Sequence, residues 1–152
     1  MEHVAVDKVR IDRFLWPAAG LSLAAGIVHL IVSPAYLQQW WGYGFFFIWA
    51  GMIQIAYALA IFLQPWMYDS SGPSDSVPRR VMRGVYLLGA AGNAAVVTLY
   101  IITRTAGIPF VGPGAGTVEP VTPLSVATTA AELVLVGILL GLARQAVKPE
   151  TL

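Results

Sequence analysis

The chain has 152 residues, 57% of them hydrophobic and only 11% charged, whereas a soluble domain carries about 25% charged residues, so an ordinary water-soluble domain is excluded. A net charge of +1, with no basic stripe away from the ends of the apolar runs, argues against a nucleic-acid partner. The absence of cysteine excludes disulfides, thiolate metal sites and thiol-based redox chemistry.

Four apolar runs, 14–33, 43–63, 85–103 and 126–143, each approach the ~20 residues that cross a bilayer core. None contains Lys or Arg, and a single acidic residue lies inside them. The expected fold is all-α, an antiparallel four-helix transmembrane bundle forming one membrane domain over residues 1–152. The first run follows Lys8, Arg10 and Arg13. It is longer than the ~7–15-residue apolar region of a signal peptide and is followed by the bulky "SPAYLQQWWGYG", so it reads as a retained span. Its last part, "GIVHLIVSP", sets His29 among apolar residues and is expected to stop at Ser33 and Pro34.

The aromatic stretch after it reads as a short interfacial loop, and "WWGYGFFFIW" either forms an aromatic belt at the headgroups or supplies the walls of a pocket. The second run carries Gln54. The segment "QPWMYDSSGPSDSVPRR" reads as a flexible connector with Trp66 and Tyr68 as interfacial anchors, and the third run carries Asn93. The loop "RTAGIPFVGPGAGTVEPVTP" has four Gly and four Pro and holds Arg104 and Glu119. It either bridges two helices or folds over the bundle as a lid, with Ile108, Phe110 and Val111 seeking a surface to cover. The fourth run carries Glu132 and ends in a G-x-x-x-G at Gly137 and Gly141. These glycines, with Gly89 and Gly92 in the third run, are read as internal packing faces. No internal repeat of the kind seen in inverted-repeat transporters is found.

Eight of the nine basic residues fall in the N-terminal tail, the second loop and the C-terminal end, leaving Arg104 alone on the other side. The positive-inside rule then places both termini in the cytoplasm of a multi-pass cell-membrane protein. Each span has one conspicuous polar side chain. At ~1.5 Å per residue, His29 lies about 6 Å below Ser33 and Glu132 about 9 Å below Val126, both in the outer leaflet. Gln54 and Asn93 fall nearer the midplane. Ser22, Gly26 and Ser33 share a helix face with His29, and Ser125, Thr128 and Thr129 share one with Glu132, so these faces are small or hydroxylated.

Gln54 and Asn93 are expected to hydrogen-bond across helices. His29 and Glu132 are either packing residues or a site, since such groups are costly in hydrocarbon. A metal ion would need more ligands, and His3 lies in the tail on the other side. A bis-histidine haem is excluded within one chain, and a His29–Met52 pair has no further support. The cofactor is therefore left open. A quinone or a lipid headgroup suits the residues better, with aromatic walls around the polar groups. The candidate ligand-binding set is His29, Glu132, Gln54, Asn93, Arg104, Trp41 and Tyr43.

The functional expectation is a non-enzymatic binding or accessory subunit holding a small ligand, cofactor or partner group, within a larger membrane complex or a homo-oligomer. The alternative is a small proton-coupled transporter using Glu132. No catalytic or nucleotide-binding motif supports an enzyme. The sharpest expectation is that His29 turns inward to Glu132, directly at ~2.7–3.2 Å or through a water, with Arg104 or the Gly/Pro-rich loop closing the site from above.

The combination of His29, Pro34, "WWGYGFFF" with Gln54, Asn93, "RTAGIPFVGP", Glu119-Pro120 and Glu132 resembles an uncharacterised group of small four-helix bacterial integral membrane proteins. The resemblance covers about residues 14 to 145, and its most specific piece is R-T-x-G-x-P-x-x-G-P. It implies that the polar cluster and this loop belong together, and it implies no activity. An acidic residue is expected near position 124, where this chain has Leu124 and Ser125.

Overall fold

A computed structural model describes residues 2–63 and 79–146, with side chains over 13–63 and 81–146. The connector with Trp66 and Tyr68 and the side chains of His3, Lys8 and Arg10 lie outside the described residues. Four helices account for the fold: α1 (Glu2–Gln39), α2 (Trp41–Leu63), α3 (Arg79–Thr105) and α4 (Pro123–Gln145), with no strand among the described residues. All four contain a stretch long and apolar enough to cross a membrane: Arg13–Gln39, Trp41–Leu63, Val81–Thr105 and Pro123–Gln145. Large apolar side chains such as Trp16, Ile31, Ile53 and Leu88 stand exposed on the bundle surface, as expected of a protein whose surroundings are hydrocarbon.

α1 does not stop at Ser33–Pro34 but continues for another turn and a half to Gln39. A proline removes the N–H that would bond the carbonyl four residues back, here Leu30. Ser33 repairs the loss, its hydroxyl donating to Leu30 O at 2.9 Å. The aromatic stretch is accordingly helical on both sides of a break at Trp40 alone, instead of the interfacial loop expected. Trp40 O caps the start of α2 by accepting from the N–H groups of Tyr43 and Gly44. At the other junction Thr122 and Ser125 form a capping box with Pro123 in the first turn, which starts α4 three residues before the apolar run.

The closest helix approach is between α1 and α2. A Cβ on Gly26 would lie 2.9 Å from Gly51 O, and one on Gly51 2.8 Å from Gly26 O, so only glycine fits on both sides. α1 also packs on α4, and α4 on α3. α2 reaches α3 through Tyr57, which fills the space over Gly89 and donates to Val85 O at 3.1 Å. The reading of Gly92, Gly137 and Gly141 as internal packing positions is not supported. Nothing lies within 4 Å of where their Cβ atoms would be, because the inward stripe of α4 runs through Glu132, Leu135, Leu139, Leu142 and Ala143.

Along the bundle the interior changes character. The half nearest the termini is an apolar core of Leu15, Ala18, Ile61, Tyr86, Leu135 and Leu139 with their neighbours. Above it sit the buried polar residues Ser22, His29, Gln54, Asn93 and Glu132. Above those, the bundle opens into a cavity at the end that carries the α1–α2 break and the α3–α4 loop.

Candidate functional site

The extension of α1 changes the depth of the site. His29 lies ten residues from the end of α1, about 15 Å, not the 6 Å measured from Ser33. Glu132 lies nine residues from the start of α4, Asn93 twelve from the end of α3 and Gln54 thirteen from the start of α2. The four polar residues therefore occupy one level in the inner part of their apolar stretches, where two levels were expected.

They form a connected chain. His29 Nε2 lies 2.9 Å from Glu132 Oε1, the direct contact expected. Gln54 Nε2 lies 3.0 Å from the same oxygen and 3.0 Å from Asn93 Oδ1, and Asn93 Nδ2 donates to Gly89 O at 2.8 Å. The directions of the amides follow from the end of the chain. A backbone carbonyl only accepts, so Asn93 must present nitrogen to Gly89 and oxygen to Gln54. Gln54 then presents its nitrogen, and both of its N–H groups are used. Glu132 Oε1 thus accepts from Gln54 and shares a second hydrogen bond with His29 Nε2, in which the proton sits on either partner according to the tautomer. Ser22 completes the level by donating to the Gln54 backbone carbonyl at 2.8 Å. Gln54 Oε1 is buried without a partner. Among the described residues Glu132 Oε2 and His29 Nδ1 take no hydrogen bond.

His29 and Glu132 form the floor of a cavity of about 610 Å³. One wall is aromatic: His29 stacks against Phe47 at 5.5 Å between ring centres, and Phe47 against Tyr36 at 4.2 Å. The opposite wall is lined by Val96, Leu99, Tyr100, Thr128 and Thr129.

The top is a second polar group. Arg104 Nη1 donates to Glu119 Oε2 at 2.8 Å and to Thr103 Oγ1 at 2.9 Å, with its guanidinium 5.0 Å from the Tyr100 ring centre. Tyr36 donates to Glu119 Oε2 at 3.2 Å. The Gly/Pro-rich loop is folded over this end. Glu119 N bonds Thr103 O, and Gly116 N bonds Ile108 O. The turn leaving α3 depends on Gly107, at φ 71°, whose Cβ would lie 2.7 Å from the Gly116 carbonyl carbon. Tyr43 ties the loop to α2 by donating to Val111 O at 2.8 Å. Ile108 and Val111 line the cavity. Phe110 does not, being 97% exposed.

Of the candidate set, the structure puts His29 and Glu132 at the floor and Arg104 and Tyr43 at the top, while Gln54 and Asn93 do not line the cavity and support Glu132 from behind. Trp41 is left out: it is 64% exposed, and its neighbour Trp40 lines the cavity instead. The break at residue 40 sets the register of the aromatics, and that break was misplaced from sequence. Met52 is also exposed, away from His29. Among the described residues no three His, Cys, Asp or Glu side chains come together. Tyr36, Phe47 and Glu119 complete the site without having been chosen. Tyr36 lies seven residues from His29, a spacing that marks the same helix face, but the supposed end of the span at Pro34 hid it. No protein-family model matches the chain, and comparison with curated proteins and with solved structures finds no match either.

Proposed function

We propose that the protein is a non-enzymatic membrane-embedded binding protein, a four-helix antiparallel bundle with both termini in the cytoplasm, which holds a small amphipathic molecule in a cavity closed on the outer side by the α3–α4 loop. The observation that carries this reading is the cavity itself. An apolar, aromatic-walled space of about 610 Å³ with a few convergent polar groups is the usual form of a small-molecule site. Here a buried acid–imidazole contact lies at its floor. The carrier reading, with Glu132 shuttling protons, has less support. Beyond Glu132 the inward face of α4 offers Leu135, Leu139 and Leu142, which is packing and not a path.

The test is retention of a bound molecule. The protein purified in lipid nanodiscs and extracted with solvent is expected to yield a small molecule in about 1:1 ratio by mass spectrometry. Thr129→Trp, which fills the cavity, is expected to abolish it while the helical signal stays. Uptake driven by a proton gradient into vesicles, without a retained molecule, would overturn the reading in favour of the carrier.

A further inference from the structure

Resting on the binding reading above, we infer the class of molecule: an uncharged ring bearing two para oxygens and an apolar tail, that is, a membrane-dissolved quinone or its quinol. The floor and the top of the cavity are both polar, and their separation follows from the rise of α1. Along the helix axis His29 and Tyr36 lie seven residues, about 10 Å, apart on one face of α1, and the Phe47 ring lies tilted against both. The para oxygens of a six-membered quinone ring are about 5 Å apart, and a hydrogen bond of about 2.8 Å at each gives a span of roughly 11 Å between the protein atoms. A ring placed against Phe47 therefore meets polar groups at both ends.

Charge decides against the commonest alternative. A phospholipid headgroup needs an unspent cation, but Arg104 is already paired with Glu119, and His29 with Glu132. Neither pole holds a cation without an acidic partner, so a neutral molecule is favoured over a phosphate or a carboxylate. A pure hydrocarbon would fill the space but offer nothing to the hydrogen-bonding capacity left over there, such as the buried Arg104 Nε, which has no partner. Each pole offers a donor and an acceptor: the acid–imidazole pair below, and Tyr36, Arg104 and Glu119 above. Both the accepting quinone and the donating quinol are accommodated.

The tail also has a way out. α2 and α3 are held together by Tyr57 over Gly89 and by Gln54 on Asn93. Above that level their facing side chains, Phe46 and Phe47 from one helix and Val96 and Leu99 from the other, line the cavity. Phe46 is already part-exposed on the bundle surface. The tail leaves between these helices into hydrocarbon, with no need to pass the loop.

The experiment titrates the purified full chain in nanodiscs with three probes that share a ten-carbon tail: decyl-1,4-benzoquinone, decylbenzene and decyl phosphate. Binding is read by displacement of a tritiated quinone. The quinone is expected to bind at 1:1, with decylbenzene and decyl phosphate each roughly tenfold weaker or more, the loss of about 1.4 kcal/mol at the ring oxygens. Glu132→Leu and Arg104→Leu are each expected to bring the quinone down to the level of decylbenzene. Glu132→Gln and Arg104→Gln, which keep a hydrogen-bonding group, are expected to lie between, and their melting curves separate weak binding from misfolding. Decylbenzene or decyl phosphate binding as tightly as the quinone would overturn the quinone assignment and leave the binding cavity standing. Binding of none of the three, with no co-purified molecule, would overturn both.

Discussion

Gln54 holds its amide nitrogen 3.0 Å from Glu132 Oε1 and, with its other hydrogen, 3.0 Å from Asn93 Oδ1. One side chain of α2 thus binds α3 and α4 together, and His29 brings α1 to the same oxygen. Gln54→Leu leaves the buried Asn93 oxygen bare and takes one of its two hydrogen bonds from Glu132 Oε1, and is expected to cost about 1–3 kcal/mol. Gln54→Glu, which replaces a donor by an acceptor between two acceptors, is expected to cost more. Thermal unfolding in a fixed detergent orders the three proteins, and equal stability of wild type and Gln54→Leu would show that the chain of bonds does not hold the helices.

Glu132→Gln is expected to fold, because its amide oxygen can still accept from His29 and Gln54, with a loss of less than about 1.5 kcal/mol. Glu132→Leu strands both donors and is expected to lose about 1–3 kcal/mol. Denaturant unfolding of the two variants side by side separates removal of the charge from removal of the acceptor.

The two classes of glycine should respond in opposite directions. Gly26→Ala and Gly51→Ala place a methyl against the backbone of the facing helix and are expected to destabilise by about 1–3 kcal/mol. Gly137→Ala meets open space and is expected to be neutral or to gain up to about 1 kcal/mol from helix propensity. A loss at Gly137 equal to that at Gly51 would mean that another chain covers this face.

Glu119→Gln removes the charge that holds Arg104, whose side chain is 11% exposed. A part-buried pair of this kind contributes about 1 kcal/mol, so amide hydrogen exchange over residues 106–119 is expected to quicken roughly fivefold. Tyr43→Phe, which frees Val111 O, is expected to give a smaller change confined to the residues around 111.

Membrane sidedness is open to a direct test in a chain with no native cysteine. A cysteine at Gly114, in the α3–α4 loop, is expected to react with a membrane-impermeant maleimide added to intact cells, and one placed in the connector at Ser71 only after lysis. The reverse pattern would place the cavity on the cytoplasmic side.

Four helices could be read from the sequence because no apolar run is interrupted by Lys or Arg, and the one conspicuous polar residue in each run announced the centre. The contact between His29 and Glu132 followed from matched spacing to the same end of the bundle. What the sequence hid follows from one local event. Pro34 looked like a stop, but the helix runs through it as it does through Pro17, with the Ser33 hydroxyl satisfying Leu30 O. That error raised His29 towards the surface, separated it from Gln54 and Asn93, removed Tyr36 from its face and exchanged Trp41 for Trp40. The loop was illegible for another reason. Its shape rests on left-handed residues at 107, 110, 112 and 116 and on an ion pair across fifteen positions, neither of which leaves a periodic trace.

The fixed direction of the Gln54 and Asn93 amides has an electrical consequence. A proton wire needs groups that accept a proton on one side and release one on the other, as hydroxyls, imidazoles and water do. Here two carboxamides, each with its nitrogen aimed one way, end on the Gly89 carbonyl, and a carboxamide relays a proton only through a costly tautomer. Any proton exchanged at His29 and Glu132 must come and go by the mouth of the cavity. The chain of bonds is a cul-de-sac that ends on a backbone carbonyl.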